Sequence, residues 1–466
     1  MPRLLTERTF FRYLKCPDWV WFDAHASGPR ALDPLMEALQ DDGLVEDVQR
    51  ALLAGRPDVA EVSAEDVDEA FAQTLAFMRA GRRTIFHGVL VDGHWVGHPD
   101  VLERVGGRSL LGDYYYVAAD MKRGRALKDE YKFQACFYAE LLGRLQGVRP
   151  PQGYVITPDG VALTFLVERF EKEYALTLDA IERILSGRRP PHFLTSGCKQ
   201  SPWFSECRAL AKSCDGLSLL NRVWREEAAR LEASGVRTVT ALAALSANEL
   251  ARRVPAVDPA RLERLRDQAV ALTERRAIVR ERVELPSAEV ELYFDVESDP
   301  LRDLDYLFGV LAVQGGKETY YRFFAEDATK EEAMWREFLA FVERYPDAPI
   351  FHYGAFEADV VRRFAARFGA TNAARGILAR NLVDLLAKMR PAVLFPLSFY
   401  SLKDIASFLG FRWRAEDASG ANSVLWFEQW LRMRDAALLE KIFLYNEDDV
   451  RATRVLRDWL REHAQT

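Results

Sequence analysis

Apolar and polar positions alternate along EVELYFDVES (residues 289–298), with Leu292, Phe294 and Val296 pointing one way and Asp295 and Glu297 the other. A period of two predicts a strand, here one with an acidic face. VAADMK (117–122) carries the same period, so Asp120 and Lys122 share a strand face. Residues 216–285 space Arg, Ala and Leu as a helix does and read as almost wholly helical. Residues 1–215 read as mixed helix and strand, and the chain after Ser287 settles into strand–helix units, the α/β pattern. Punctuation at Arg188–Pro191, Asp215–Gly216 and Leu285–Pro286–Ser287 divides the chain into 1–215, 216–285 and 286–466.

The length, 466 residues, suits about three domains. With 49% apolar and 29% charged residues, the composition excludes a disordered chain, a collagen-like fibre and a disulfide-dense scaffold. The net charge of −7 advertises no global field for nucleic acid, although local patches steer binding more than the sum does. Residues 221–285 run against that trend, with thirteen arginines and ten acids. No apolar run approaches the roughly 18 residues of a membrane span, and the charge-interrupted start MPRLLTERTFFRYLKCPDW does not read as a signal peptide. A soluble cytoplasmic protein is expected.

Candidate chemistry gathers in two places. In the first, WVGHPDVL offers Gly97 and Asp100 at a strand start, a Gly106–Gly107 hairpin turn is expected next, and Asp120 and Lys122 follow. Carboxylates with oxygen ligands hold a hard divalent cation, and a neighbouring lysine orients water and steadies phosphate charge. Gln134 and Tyr138 lie four apart on an apparent helix, hence on one face. This order of G-x-x-D, D-x-K and Q-x-x-x-Y resembles the RecB-type PD-(D/E)XK nucleases, including the CRISPR-associated RecB-like nucleases. The resemblance implies a restriction-endonuclease-like α/β core, a catalytic set of Asp100, Asp120, Lys122, Gln134 and Tyr138, and Mg²⁺ or Mn²⁺ on Asp100 and Asp120. It also implies an acid or histidine from an upstream helix, for which Glu65, Glu69 and His87 are candidates.

The five cysteines are an odd count, which argues against a disulfide framework, and Cys198, Cys207 and Cys214 crowd into 17 residues. The resemblance implies a cluster held by one early and three later cysteines, here Cys16, Cys198, Cys207 and Cys214, whose four thiolates match a [4Fe–4S] ligand count. It also leads one to expect Cys-x-x-Cys where the chain has Cys198-x-x-Ser201. Zinc and unliganded buried thiols remain alternatives, and Cys136 reads as a packed thiol. Gly235–Val236 followed by Thr238, Val239 and Leu242 resembles helix–hairpin–helix modules that offer backbone N–H groups to phosphate; a plain helical spacer is the other reading.

The second constellation is Asp295 and Glu297 on one strand, Glu357 and Asp359 after IFHYGAF, and Tyr445 one helical turn before Asp449. D-x-E, a middle acid and Y-x-x-x-D resemble the DnaQ-like, RNase H-fold 3′–5′ exonucleases with tyrosine in the last motif. The resemblance implies divalent metal on Asp295, Glu297, Glu357 and Asp449, with Tyr445 positioning the attacking water; Glu357 stands where the family has aspartate. Asp384 reads as structural and Asp448 as an off-face neighbour. The chain is therefore expected to be a multidomain α/β metal-dependent nuclease acting on DNA rather than RNA, on single strands or ends. The resemblance also suggests a helicase or CRISPR-type partner. The rival expectation is a binding or scaffold protein of DNA repair or defence with one or both sites degenerate.

Overall fold

The computed structural model of the chain describes residues 5–26, 30, 46–124, 126–300, 302–415 and 420–464. The chain divides into two compact units, 1–210 and 211–466. The helical segment 216–285 thus lies within the second unit. There it is tied to the α/β part by Gln268, which donates to the Phe395 carbonyl at 2.7 Å, and by Arg264, which donates to the Pro391 carbonyl at 2.7 Å.

In the first unit, helices α1 (Glu7–Lys15) and α2 (Pro17–His25) meet at Cys16. Proline at the first position of α2 needs no N–H partner and breaks α1 from it. Six strands follow, β1 (Val59–Glu61), β2 (Thr84–Phe86), β3 (Val101–Ser109), β4 (Gly112–Met121), β5 (Gln152–Ile156) and β6 (Ala162–Leu166), hydrogen-bonded in that order. The long helix α3 (Asp129–Gln146) crosses between β4 and β5, which run parallel. Both faces of β4 are covered. Tyr116 and Ala118 join a core with Phe133 and Phe137 of α3, while Ala119 and Met121 join one with Phe86 and Ile156. Asp120 therefore lies on the helix-covered face.

The hairpin turn falls elsewhere than expected. Residues 110–111 make it, while Gly106 and Gly107 lie inside β3 where its register with β4 shifts. Gly107, at φ 146°, packs where a Cβ would stand 2.7 Å from the Tyr115 ring. The glycine pair serves a bulge, which needs its freedom as much as a turn does.

In the second unit the helices Arg225–Ala233, Val239–Ala243 and Ala247–Arg253 lead to α4 (Pro259–Glu274). Gly235 turns the first of these pairs at φ 89°, and the Thr238 hydroxyl caps the next helix by accepting from the Ala241 N–H. Then come β7 (Val290–Asp299), β8 (Leu304–Gln314), β9 (Lys317–Phe324), β10 (Ile350–His352), α5 (Phe356–Phe368), β11 (Leu382–Asp384), α6 (Leu385–Ala392) and α7 (Ala436–Ala464). The sheet order is β9-β8-β7-β10-β11: antiparallel through β9, β8 and β7, parallel through β7, β10 and β11. Leu292, Phe294 and Val296 pack on one side with Phe338 and Phe364; Tyr293 packs on the other with Val450 and Leu456 of α7. The acidic face of β7 is thus the face covered by α7.

Gly309 of β8 sits opposite Asp295 in the ladder, and a Cβ there would fall 1.5 Å from Asn446 Oδ1 of α7. Glycine is what allows that helix to close on the sheet. Gly309→Ala is expected to lower stability by about 1–3 kcal/mol, as overpacked sites do, measurable as a drop in the thermal midpoint.

Candidate active sites and thiol group

Along the inner face of β7 three acids follow one another, and their surroundings differ sharply. Glu291 is buried but neutralised by Arg457 and by Arg461, the latter at 2.6 Å, and it accepts from the Tyr293 hydroxyl at 3.0 Å. Asp295 and Glu297 form no ion pair with any described basic residue. Instead they converge with Asp449 of α7, so that one carboxylate oxygen from each lies within 4.8 Å of the others. Asn446, one turn before residue 450 on the same helix, donates to Asp295 Oδ2 at 2.7 Å and is itself held by the Tyr320 hydroxyl at 2.8 Å.

Asp449 is oriented by the Trp413 indole N–H, 2.7 Å from Oδ1, and by the Tyr445 hydroxyl. Burial is the leading cause that pushes all three carboxyls up; the charges of neighbouring acids add to it at Asp295 and Glu297, while at Asp449 Asp448 adds to it and Trp413, Tyr445 and Lys403 oppose it. Asp295 stands well above its ordinary range, Glu297 is raised to about 8 and Asp449 to about 7. Hydrogen bonds from Ser423 and Asn446 partly offset the rise at Glu297.

Glu357 lies outside the three-acid group but faces it, since its charge contributes to the rise at both Asp295 and Glu297. It is buried at the start of α5, with Oε2 3.5 Å from His352 Nδ1 and neither atom hydrogen-bonded. Asp359 points elsewhere, to Arg362. Asp448 is occupied by the Arg414 backbone N–H and Nε, at 2.8 and 2.7 Å, and Asp384 caps α6 while accepting from the Gly354 N–H. Three converging carboxylates, Glu297 buried and Asp295 and Asp449 half-buried, with a fourth that has an orphaned oxygen, fit a hard divalent cation, which supplies positive charge.

In the first unit, Asp120 and Lys122 lie side by side, Oδ2 to Nζ 3.2 Å, both buried. Asp100 accepts from the Met121 N–H at 2.6 Å, and its own N–H donates to Asp120 Oδ1 at 3.3 Å. Gln134 donates to the Tyr138 hydroxyl, which donates to the His98 carbonyl, each at 3.2 Å. Gly97 explains the first motif: a Cβ there would meet the Tyr138 ring at 3.1 Å, so glycine admits the tyrosine onto the strand.

Glu65 and Glu69 are exposed. His87 donates its backbone N–H to the Asp100 carbonyl and turns its ring toward Gln49. The acid that faces Asp120 is Glu7, first residue of α1, 7% exposed and with Oε2 lacking a hydrogen bond. Burial raises the Asp120 carboxyl; Glu7 adds to the rise and Lys122 opposes it. An acid in a helix's first turn is so common as a partner of the helix dipole that nothing in the sequence marks it out.

Three thiols converge between α1 and the later chain. Cys198 Sγ lies 3.1 Å and Cys207 Sγ 3.7 Å from Cys16 Sγ, all three fully buried. Gly197 permits this, because a Cβ would stand 2.5 Å from the Lys15 carbonyl oxygen. Hydrogen bonds among the three hold the Cys198 thiol low and raise that of Cys207. Cys214 belongs to the second unit, where it is exposed with its Sγ on the Ala211 carbonyl. Ser201, in the place of the expected cysteine, is buried, and its hydroxyl accepts from the Trp203 N–H. Cys136 is a packed thiol of the α3 core. The described residues thus bring together three thiols and fall one short of a four-thiolate cluster, while soft thiolate donors suit a metal with a fourth ligand of another kind.

A five-stranded mixed sheet with helices on both faces and carboxylates converging on its central strand makes this part an α/β domain with an acidic site. Residues 292–461 match the family model described as the RNase_H superfamily, and this part of the chain is an RNase H-like domain. No curated protein matches the chain. Among the described residues no helix is long and apolar enough to cross a membrane.

The raised carboxyls make stability depend on pH. Between about pH 5 and pH 8 the folded, metal-free protein binds more protons at this cluster than the unfolded chain, so the unfolding free energy falls as pH rises. Thermal midpoints measured in chelator should therefore decline across that interval. Mn²⁺ should remove the decline and release protons on binding, and Glu297→Gln should flatten the slope without metal. A slope that Glu297→Gln leaves unchanged would count against the cluster as its source.

Proposed function

We propose that the chain is a metal-dependent nuclease that hydrolyses phosphodiester bonds in DNA, at single strands or ends, through an exonuclease-type site in its RNase H-like domain and a RecB-type site in the first unit. The observation that carries this reading is the convergence of three carboxylates on β7 and α7, whose unfavourable charge Lys403 relieves only in part, at Asp449, while Glu291 on the same face is paired with two arginines. A fold kept only for binding has no need of such repulsion.

Asp295, Glu297 and Asp449 would hold the cation, with Glu357 Oε2 free to join. A divalent ion there supplies Lewis-acid charge and an acidified water. The protein's own part is positional. Asn446 and Trp413 fix two of the carboxylates, and Tyr445 keeps its proton, because burial and the neighbouring acids raise its phenol far above the ordinary value. It can therefore donate to Asp449 and hold the attacking water in line. In the first unit, Asp100, Asp120 and Glu7 would hold metal, Lys122 would orient water and steady phosphate charge, and Gln134 and Tyr138 would brace the site. The thiol group is proposed as a metal clasp joining α1 to the segment around Cys198 and Cys207. An iron–sulfur cluster there needs one ligand beyond these three thiols.

Digestion of 5′- and 3′-labelled DNA and RNA by the full chain with Mg²⁺ or Mn²⁺ tests the reading. Asp449→Asn should abolish shortening from the 3′ end, and Tyr445→Phe should slow it by about 10–100-fold, as losing a positioned proton donor does. Glu357→Asp should preserve or raise the rate. Asp120→Asn should remove only the cleavage that survives Asp449→Asn. Trimming from the 3′ end that survives Asp449→Asn would overturn the assignment.

Cys207→Ala tests the clasp separately. It should release the bound metal, iron or zinc by elemental analysis, and lower the thermal midpoint of the first unit, because metal binding and folding share one free energy. Retention of both would sink it.

A further inference from the structure

Within the second unit, a cavity of about 300 Å³ opens between the helical segment and the end of α6. Its walls carry Arg222, Arg261, Arg264 and Arg390 together with Trp224 and Gln268, and no carboxylate lines it. In a chain of net charge −7 this is a local concentration of the opposite sign. Arg261 is paired with Glu227 at 2.7 Å, but among the described residues Arg222, Arg264 and Arg390 form no ion pair. Arg390 Nε is buried without a hydrogen-bond acceptor.

The scaffold around these groups is fixed. Arg264 caps the last turn of α6 through the Pro391 and Arg390 carbonyls. Arg222 is held in left-handed backbone at φ 58°, and its carbonyl accepts from Arg261 at 2.6 Å. Trp224, 60% exposed, stands at the rim with its face available to solvent.

We propose that this cavity is a phosphate-binding cleft for the single-stranded polynucleotide acted on by the RNase H-like site, with Trp224 as a stacking platform for a base; the proposal rests on the nuclease reading above. Guanidinium groups without carboxylate partners match phosphate oxygens in a fork geometry, and an exposed indole stacks any base without reading its sequence. Burial and the nearby Arg280 and Arg261 hold the Arg264 guanidinium below its ordinary pKa, a strain that a bound phosphate would relieve.

Arg264 also caps a helix, so the test uses Arg222→Gln with Arg390→Gln, and Trp224→Ala apart from them. Binding of a labelled oligothymidylate of about twenty nucleotides is read by anisotropy in Ca²⁺, and its degradation in Mg²⁺ is read as KM and kcat. The arginine pair should weaken binding about five- to tenfold, raise KM to match with kcat within about twofold, and reduce the salt slope by about 1.4, the value for two single-strand phosphate contacts. Trp224→Ala should weaken binding about tenfold with the salt slope intact. Exposed Arg253, changed to Gln, should move neither reading. Wild-type degradation with unchanged binding in the variants overturns the cleft and leaves the nuclease reading standing. A wild type that neither binds nor degrades single strands overturns both, and a fall in kcat with KM unchanged makes these residues structural rather than substrate-binding.

Discussion

The constraint on which the second unit turns is the repulsion among carboxylates buried at the seam of β7 and α7. Several parts of the fold exist to tolerate it. Asn446 can reach Asp295 only because residue 309 of β8 has no side chain. The Trp413 indole and the Tyr445 hydroxyl hold Asp449 in place, and Ser423 serves Glu297 while bonding the Tyr306 hydroxyl at 2.7 Å. None of these groups brings a full positive charge into the cluster. They fix geometry and leave charge unbalanced, which is the condition under which a divalent cation binds strongly.

Glu291 is the internal control. It shares strand and face with Asp295 and Glu297 and is buried like Glu297, yet two arginines of α7 neutralise it. The same helix delivers Arg457 and Arg461 to one end of the acidic row and Asp449 to the other. Over its 29 residues α7 passes from the site to the structural end of the strand, so a single element sets which acids are silent and which are reactive.

Much of this was legible in the sequence because strand and helix periods are rigid. Asp295 and Glu297 had to share a face, as did Gln134 with Tyr138 and Tyr445 with Asp449. What stayed hidden depended on tertiary approach. Glu7 looks like any acid at a helix start until α1 is seen to face Asp120. Trp413 and Ser423 lie in segments without a motif, and Asn446 sits between better-known letters. The Gly106–Gly107 pair misled for a related reason: bulges and turns draw on the same conformational freedom, and only pairing register separates them. The approach of Cys16 to Cys198 and Cys207 within the first unit is likewise a tertiary fact that spacing along the chain does not carry.

The two candidate sites solve one electrostatic problem by different means. In the first unit Lys122 sits 3.2 Å from Asp120 and offsets part of its burial, so that site carries a resident cation beside its acids. In the RNase H-like domain hydrogen-bond donors and the Lys403 charge, which acts on Asp449, offset burial only in part, and Asp295 and Glu297 remain raised by neighbouring acids. Occupancy of the second site should therefore depend more steeply on pH than occupancy of the first, since three raised carboxyls must lose protons together there. The difference follows from which residue types reach each cluster: a lysine two positions along the same strand in one case, an asparagine and a tryptophan from elsewhere in the unit in the other.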